Sequence, residues 1–238
     1  MTVSSSPHIL FGSSEPFLPP SWTTTDDRLR GGASQSYLDA LPNNCARFYG
    51  HLDTSTLGGA GFASQYSPEG GSWDLSAYDG IEVEFQEGDG KVYTLVLKDE
   101  ESPGKREDGR EKAGVNWEAE FRGYNSVGEE GDGNGFTKVW VPWGDFKAAY
   151  RGKEKKDAGE LKTGSVRRVG IMMRSYFGKQ DGDFSIELSY ICARKEAEGD
   201  KKCSASLLVG EVPRKEENKG WSEWLFGPLY RFLTDGMP

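Results

Sequence analysis

Apolar and polar residues alternate with period two in several short runs, and this is the strongest structural signal in the chain. In Ile81-Glu82-Val83-Glu84-Phe85 and in Phe184-Ser185-Ile186-Glu187-Leu188 one face is apolar and the other charged or hydroxylated. That is the pattern of a strand with one covered and one wet face. Val169-Gly170-Ile171-Met172-Met173 is nearly continuous instead, which predicts a strand covered on both sides near the middle of a sheet. Strand-like runs occupy residues 35–38, 45–52, 61–66, 80–86, 91–98, 115–122, 137–141, 166–174 and 183–194, separated by turns rich in Gly, Pro, Asn and Ser. With no strong helical period among them, these runs predict an all-β, two-sheet sandwich over residues 20–194.

The flanks and loops read differently. Residues 1–19 are rich in Ser and Pro around the apolar Ile9 to Phe11, an N-terminal arm expected to dock one edge of the domain. The segments 99–114 and 128–135 are charged and glycine-rich, with too little apolar content to fold alone, and are expected to be solvated loops. Residues 195–238 begin as a charged linker and end in an apolar tail. In that tail Trp221, Trp224, Leu225, Leu229 and Phe232 follow helical spacing, interrupted at Gly227-Pro228. A short kinked helix is expected, covered by the domain, by a partner or by a membrane surface.

Composition narrows the function classes. With 35% hydrophobic residues, 12% aromatic residues and 32 glycines in 238, the chain can build a core without staples. A net charge of −9 argues against nucleic acid and against anionic lipid over the surface as a whole, although a local basic patch can oppose that field. The three cysteines, Cys45, Cys192 and Cys203, show no CxxC spacing, so no structural zinc site is read. They suit a reducing, intracellular compartment, as does the lack of any Asn-x-Ser/Thr acceptor. The first ten residues hold no Lys or Arg and no signal-length apolar run, so a cytoplasmic protein is expected from the residues alone. No window reaches the length of a membrane-spanning helix.

Candidate chemistry is sparse. Trp22-Thr-Thr-Thr-Asp26-Asp27-Arg28-Leu29-Arg30-Gly31-Gly32-Ala33-Ser34 crowds two acids, an arginine and a Gly-Gly pair ahead of the first clear strand. Arg28 can pair with a neighbouring carboxylate, and a glycine there can take positive φ; the segment reads as a structural corner or as a ligand or partner site built on Asp26, Asp27 and Arg28. Exposed aromatics are natural anchors for sugars and proteins. Trp73, Trp117, Trp140 and Trp143 are candidates, with Trp221, Trp224 and Phe232 in the tail. The chain has only two histidines, His8 and His51, so a triad has at most one plausible base. Glu82 and Glu84 share a strand face and are better explained as its wet side than as an acid pair. Neither an enzyme nor a cofactor or metal site is expected.

The opening Trp22, Asp26-Asp27-Arg28, Gly31-Gly32 and Ser34 resembles the start of the complex I intermediate-associated protein family. The likeness continues in order through Phe48-Tyr49-Gly50, Gly61-Phe62-Ala63-Ser64, Gly88-Asp89-Gly90-Lys91-Val92-Tyr93, Val139-Trp140-Val141-Pro142-Trp143-Gly144-Asp145-Phe146, Tyr150-Arg151-Gly152 and Gly182-Asp183-Phe184. It spans about residues 20 to 193. It implies a galactose-binding-like jelly roll, related in architecture to carbohydrate-binding modules, and a non-catalytic role in assembly of mitochondrial respiratory complex I. Complex I assembly intermediates are then the implied protein partners, a carbohydrate is the alternative ligand, and the mitochondrial matrix is the alternative location. Arg30, standing where an apolar residue is usual, and the 99–114 insertion depart from the family pattern.

Overall fold

The alternating runs need opposing faces to bury their apolar sides, and two sheets provide them. A computed structural model of the protein describes residues 6–104, 107, 112–123, 135–197 and 200. The strands in chain order are β1 (His8–Gly12), β2 (Thr23–Asp26), β3 (Gln35–Ala40), β4 (Ala46–Leu52), β5 (Phe62–Tyr66), β6 (Gly80–Gly88), β7 (Val92–Lys98), β8 (Asn116–Arg122), β9 (Thr137–Pro142), β10 (Lys147–Tyr150), β11 (Lys153–Glu154), β12 (Arg168–Arg174) and β13 (Gly182–Arg194). Sheet A runs β3-β4-β13-β6-β9, with β1 also on β13; sheet B runs β11-β10-β8-β7-β12-β5-β2. Every pairing is antiparallel. The only helical elements among the described residues are short 3-10 turns.

The nine runs read from the sequence all become strands, and four further strands join them. Two of the four are explained by what they lean on. β1 pairs with Tyr190–Ala193 on the edge of β13 that β4 has vacated after Leu188. The arm therefore does more than dock: Leu10 and Phe17 enter the core, and Phe11 packs against Phe17, Trp22 and Trp73 at ring distances of 5.7, 5.0 and 5.9 Å. β2 has no apolar residue at any of its four positions, yet pairs along its whole length with β5. The near-continuous run at Val169–Met173 lies in β12, between β7 and β5 and buried on both faces.

The inner faces meet in one core. Phe48 and Phe184 from sheet A pack on Tyr93 from sheet B, and Phe121 stacks on Tyr93. Trp117, Ala119 and Phe121 alternate along β8 and stand directly opposite Leu97, Leu95 and Tyr93 of β7. This corrects the reading of Trp117 as a surface anchor, because its side chain is core and only 5% exposed. Each large side chain fully buried in this way contributes on the order of 1.5 to 3 kcal/mol. Trp140 is buried as well, on the outer face of sheet A beneath Arg194, whose guanidinium lies 4.1 Å from the ring centroid.

Candidate functional site

The acidic opening motif forms a buried corner between the sheets. Asp27 begins a 3-10 turn, and Gly31 ends it in the left-handed region at φ 83°. One Asp27 oxygen accepts the Ser34 amide at 3.0 Å, and the other accepts the Ser34 hydroxyl at 2.6 Å and the Phe62 amide at 3.2 Å. Ser34 in turn accepts the Asp53 amide at 3.0 Å. Asp26 accepts the Ser36 hydroxyl, the Ser64 amide and an Arg28 Nη2 hydrogen at 3.0, 3.3 and 2.9 Å. Its carboxyl is 1% exposed while Arg28 is 49% exposed. Burial raises the Asp26 pKa, outweighing the lowering by Ser36, Arg28 and Ser64. Both carboxylates are thus occupied in holding sheet A to sheet B, and only the outer side of Arg28 reaches solvent.

Outside the core, the exposed side of sheet B carries a second, smaller apolar cluster. Tyr66, Gly170, Val96, Glu118 and Lys147 form one row of directly opposed residues across five strands. Tyr66, Val96 and Met172 are buried there, with Phe62 against them. Gly170 makes the row possible, since a Cβ at that position would come within 2.5 Å of the Tyr66 ring. Lys98 and Arg168, a directly opposed pair, both approach the ring, at 5.0 and 5.3 Å from its centroid. Burial pushes the Tyr66 hydroxyl up to about 12. Beside this row Arg174 pairs with Glu118 at 2.5 Å and stacks over Tyr176 at 5.5 Å. A cavity of about 170 Å³ opens next to the pair, lined by Glu118, Glu120, Asp145, Lys147, Glu154 and Arg174 among others.

The outer side of sheet A offers a different surface. Tyr37 and Tyr49 stand directly opposite each other on β3 and β4 with ring centroids 5.3 Å apart, and Tyr37 is 43% exposed. Tyr49 donates its hydroxyl to Asp39 at 2.8 Å. Arg47 lies 4.9 Å from the Tyr49 ring centroid and donates through Nε to Ser185 at 3.0 Å. The Tyr49 hydroxyl, Asp39 and Arg47 are therefore each oriented by a neighbour. In the next row the His51 and Asp183 side chains meet at 2.7 Å, both exposed. Farther along, Glu82 accepts the Tyr190 hydroxyl at 2.7 Å and Arg194 Nε at 2.6 Å, and Glu84 faces Lys138 at 3.4 Å.

The sequence candidates are thus spread over the molecule. Asp26, Asp27 and Arg28 come together in the corner; Trp73 is half-buried against Phe11 and bridged through its backbone to Val166; Trp117 is core. Trp221, Trp224 and Phe232 lie outside the described residues. Sequence reading missed Tyr66, Arg174 and the Tyr37–Tyr49 pair. The signal for Tyr66 was present, because apolar Val96, Met172 and Tyr66 occupy the face that a one-sided sheet would leave polar.

Comparison with known proteins adds the family. The model of Complex I intermediate-associated protein 30 (CIA30) matches residues 9–188. The chain belongs to the CIA30 family. It is 35% identical over 190 residues to the uncharacterized protein C9E9.15 of Schizosaccharomyces pombe, covering 78% of this chain and 83% of that one. Among solved structures it is similar to the family 11 carbohydrate-binding module of the cellulosomal cellulase Lic26A-Cel5E of Clostridium thermocellum, with TM-score 0.52 and 13% identity over 82% of this chain and 99% of that one. The same module in complex with a β-1,3-1,4-mixed-linked tetrasaccharide gives the same values. At this identity the likeness is one of fold, and it makes the two-sheet sandwich of this CIA30 member a jelly roll of the carbohydrate-binding-module kind.

Proposed function

We propose that this CIA30 protein is a non-catalytic binding module that holds protein partners during assembly of respiratory complex I. One observation carries the reading: the residues that mark the family are satisfied inside the fold, Asp27 by Ser34 with Gly32 packed against its carboxylate, and Asp26 by Ser36 and Ser64. A motif used up in this way specifies a scaffold, so partner recognition belongs on the outer sheet faces. Sheet B, with its Glu118–Arg174 pair, cavity and aromatic cluster, has the Arg and Tyr content that protein interfaces concentrate. The family points to mitochondria as the place of action. The test is affinity purification of the tagged protein from fractionated native cells, followed by mass spectrometry. Enrichment of complex I subunits from the mitochondrial fraction is the expected result; recovery from cytosol without them overturns the reading.

A second reading, a carbohydrate-binding module, is favoured by the exposed Tyr37–Tyr49 pair with Arg47 and Asp39 already oriented around it. Aromatic faces beside fixed hydrogen-bonding groups suit sugar rings. Titration with β-1,3-1,4-mixed-linked glucan oligosaccharides tests it. Binding that Tyr37→Ala removes supports the reading, and no heat or fluorescence change up to millimolar sugar discards it.

A further inference from the structure

The cavity of about 170 Å³ on sheet B is walled by charges of both signs. Glu118, Glu120, Asp145 and Glu154 supply the acids, and Lys147 and Arg174 the bases. Register explains why they converge. Lys147 is directly opposed to Glu118, and Ala149 to Glu154, while alternation along β8 puts Glu118 and Glu120 on the same face. Ala149 and Gly152 also line the cavity, and their small side chains leave the space open.

Part of this polar surface is committed within the protein and part is not. The Glu118 side chain is only 10% exposed. Its Oε2 accepts Arg174 Nη2, but its Oε1 has no closer donor among the described residues than Asn116 Nδ2 at 3.5 Å. An ionised carboxylate can accept more than that. Arg174 gives one terminal nitrogen to Glu118 and has no acceptor among the described residues for the other, Nη1. Lys147 and Glu154 are exposed, and neither is in an ion pair with a described residue. Open acceptors and open donors therefore line the same small space.

We propose that this cavity binds one pyranose ring of a neutral saccharide. Charge disfavours the simpler ligands, because a cation meets Arg174 and Lys147 and an anion meets four carboxylates, at ranges where like charges repel strongly. A hydroxyl donates to a carboxylate and accepts from Arg or Lys, so a ring bearing several hydroxyls satisfies both signs at once. One hydroxyl donating to Glu118 Oε1 and accepting from Arg174 Nη1 completes the buried pair, and its neighbours reach Glu154 and Lys147. Size decides for a single ring, since a cavity of about 150 Å³ is known to hold benzene, a six-membered ring like a pyranose. The site is separate from the Tyr37–Tyr49 pair on sheet A, so either can fail without the other.

The test is saturation-transfer NMR of the full chain with the methyl glycosides of glucose, galactose, mannose and xylose at millimolar concentration, with methylammonium and acetate as charged probes. Transfer to the ring protons of at least one glycoside, and to neither ion, is expected. Glu154→Gln, on the exposed strand β11, keeps the fold and should weaken binding about tenfold, the worth of one hydrogen bond to a charged group. Ala149→Leu should abolish binding by filling the space; if that variant does not fold, Glu154→Gln with an unchanged melting temperature decides. Tyr37→Ala should leave binding as it is. No transfer to any glycoside, full binding by folded Glu154→Gln, loss of binding in Tyr37→Ala, or binding of methylammonium or acetate in place of the glycosides overturns the proposal.

Discussion

The carboxylate of Asp27 accepts both the amide and the hydroxyl of Ser34, at 3.0 and 2.6 Å, from seven residues away. The same carboxylate takes the Phe62 amide, so one side chain joins the turn after β2, the start of β3 and the start of β5. Asp27→Ala leaves two amides and a hydroxyl without their acceptor in a site where Asp27 is 1% exposed. The expected loss is about 2 to 4 kcal/mol, read as a lower urea midpoint with an unchanged slope.

The two glycines of the motif serve different needs, and substitution separates them. Gly31 takes φ 83° with open space around its Cα, whereas a Cβ on Gly32 would come within 2.3 Å of Asp27 Oδ1. Gly31→Ala should cost about 1 kcal/mol of left-handed strain, and Gly31→Asn less. Gly32→Ala must displace the Asp27 carboxylate and should cost as much as removing it. Equal losses at the two positions would refute this division.

Asp26 gives the corner a pH signature. Burial raises its pKa above the ordinary 3.8, so the native state holds this proton more tightly than the unfolded chain does. Stability from the group is full below the unfolded value and is lost as pH rises through the native value. The stability of the wild type relative to Asp26→Asn should therefore be greatest in acid and decline through the Asp26 titration, then stay level to neutral pH. Denaturation curves across that range measure it. A difference that grows with pH would mean that Arg28, Ser36 and Ser64 outweigh desolvation.

On sheet B, Gly170→Ala should displace the Tyr66 ring, which stands 2.5 Å from the added Cβ. Overpacking at a buried site costs about 1 to 3 kcal/mol, and the Tyr66 hydroxyl, held up to about 12 by burial, should titrate at lower pH once the ring is pushed toward water. Spectrophotometric titration of the tyrosines is the readout; an unaltered curve would show that the ring does not rest on Gly170.

The sandwich was legible because its main strands alternate, and the parts that were not legible break that rule for physical reasons. β2 is Thr23-Thr24-Thr25-Asp26: its place in sheet B comes from pairing with β5 and from Asp26 reaching Ser36 and Ser64, neither of which shows as periodicity. β10 reads Lys-Ala-Ala-Tyr, with little intrinsic preference for a strand, and pairs because Ala148 sits opposite Trp117. Trp117 itself was legible and misread: Asn-Trp-Glu-Ala-Glu-Phe-Arg puts Trp117, Ala119 and Phe121 on one face, and that face is the core. The polar corner was read as a cluster around Asp27 and Arg28, but the partners Ser64 and Phe62 lie on β5, whose closeness only the topology establishes.

Arg194 closes the far end of sheet A and gives the sharpest stability test. Its Nε donates to Glu82 at 2.6 Å, and its two terminal nitrogens each reach Asp200 at 2.7 Å. The guanidinium also lies over Trp140 at 4.1 Å. All three charged side chains are 11 to 14% exposed. The Asp200 and Glu82 contacts raise the Arg194 pKa against the opposing effect of burial, Asp200 most strongly. Arg194→Ala removes a guanidinium shared by two largely buried carboxylates, so it should cost about 3 to 5 kcal/mol, the range for breaking a buried pair, less what residual water recovers at these exposures. Arg194→Lys keeps the charge but not the fork or the stacking plane, and should recover less than half of the loss. Full recovery by Lys would show that charge alone matters, and that neither the fork nor the Trp140 contact contributes to holding the end of β13.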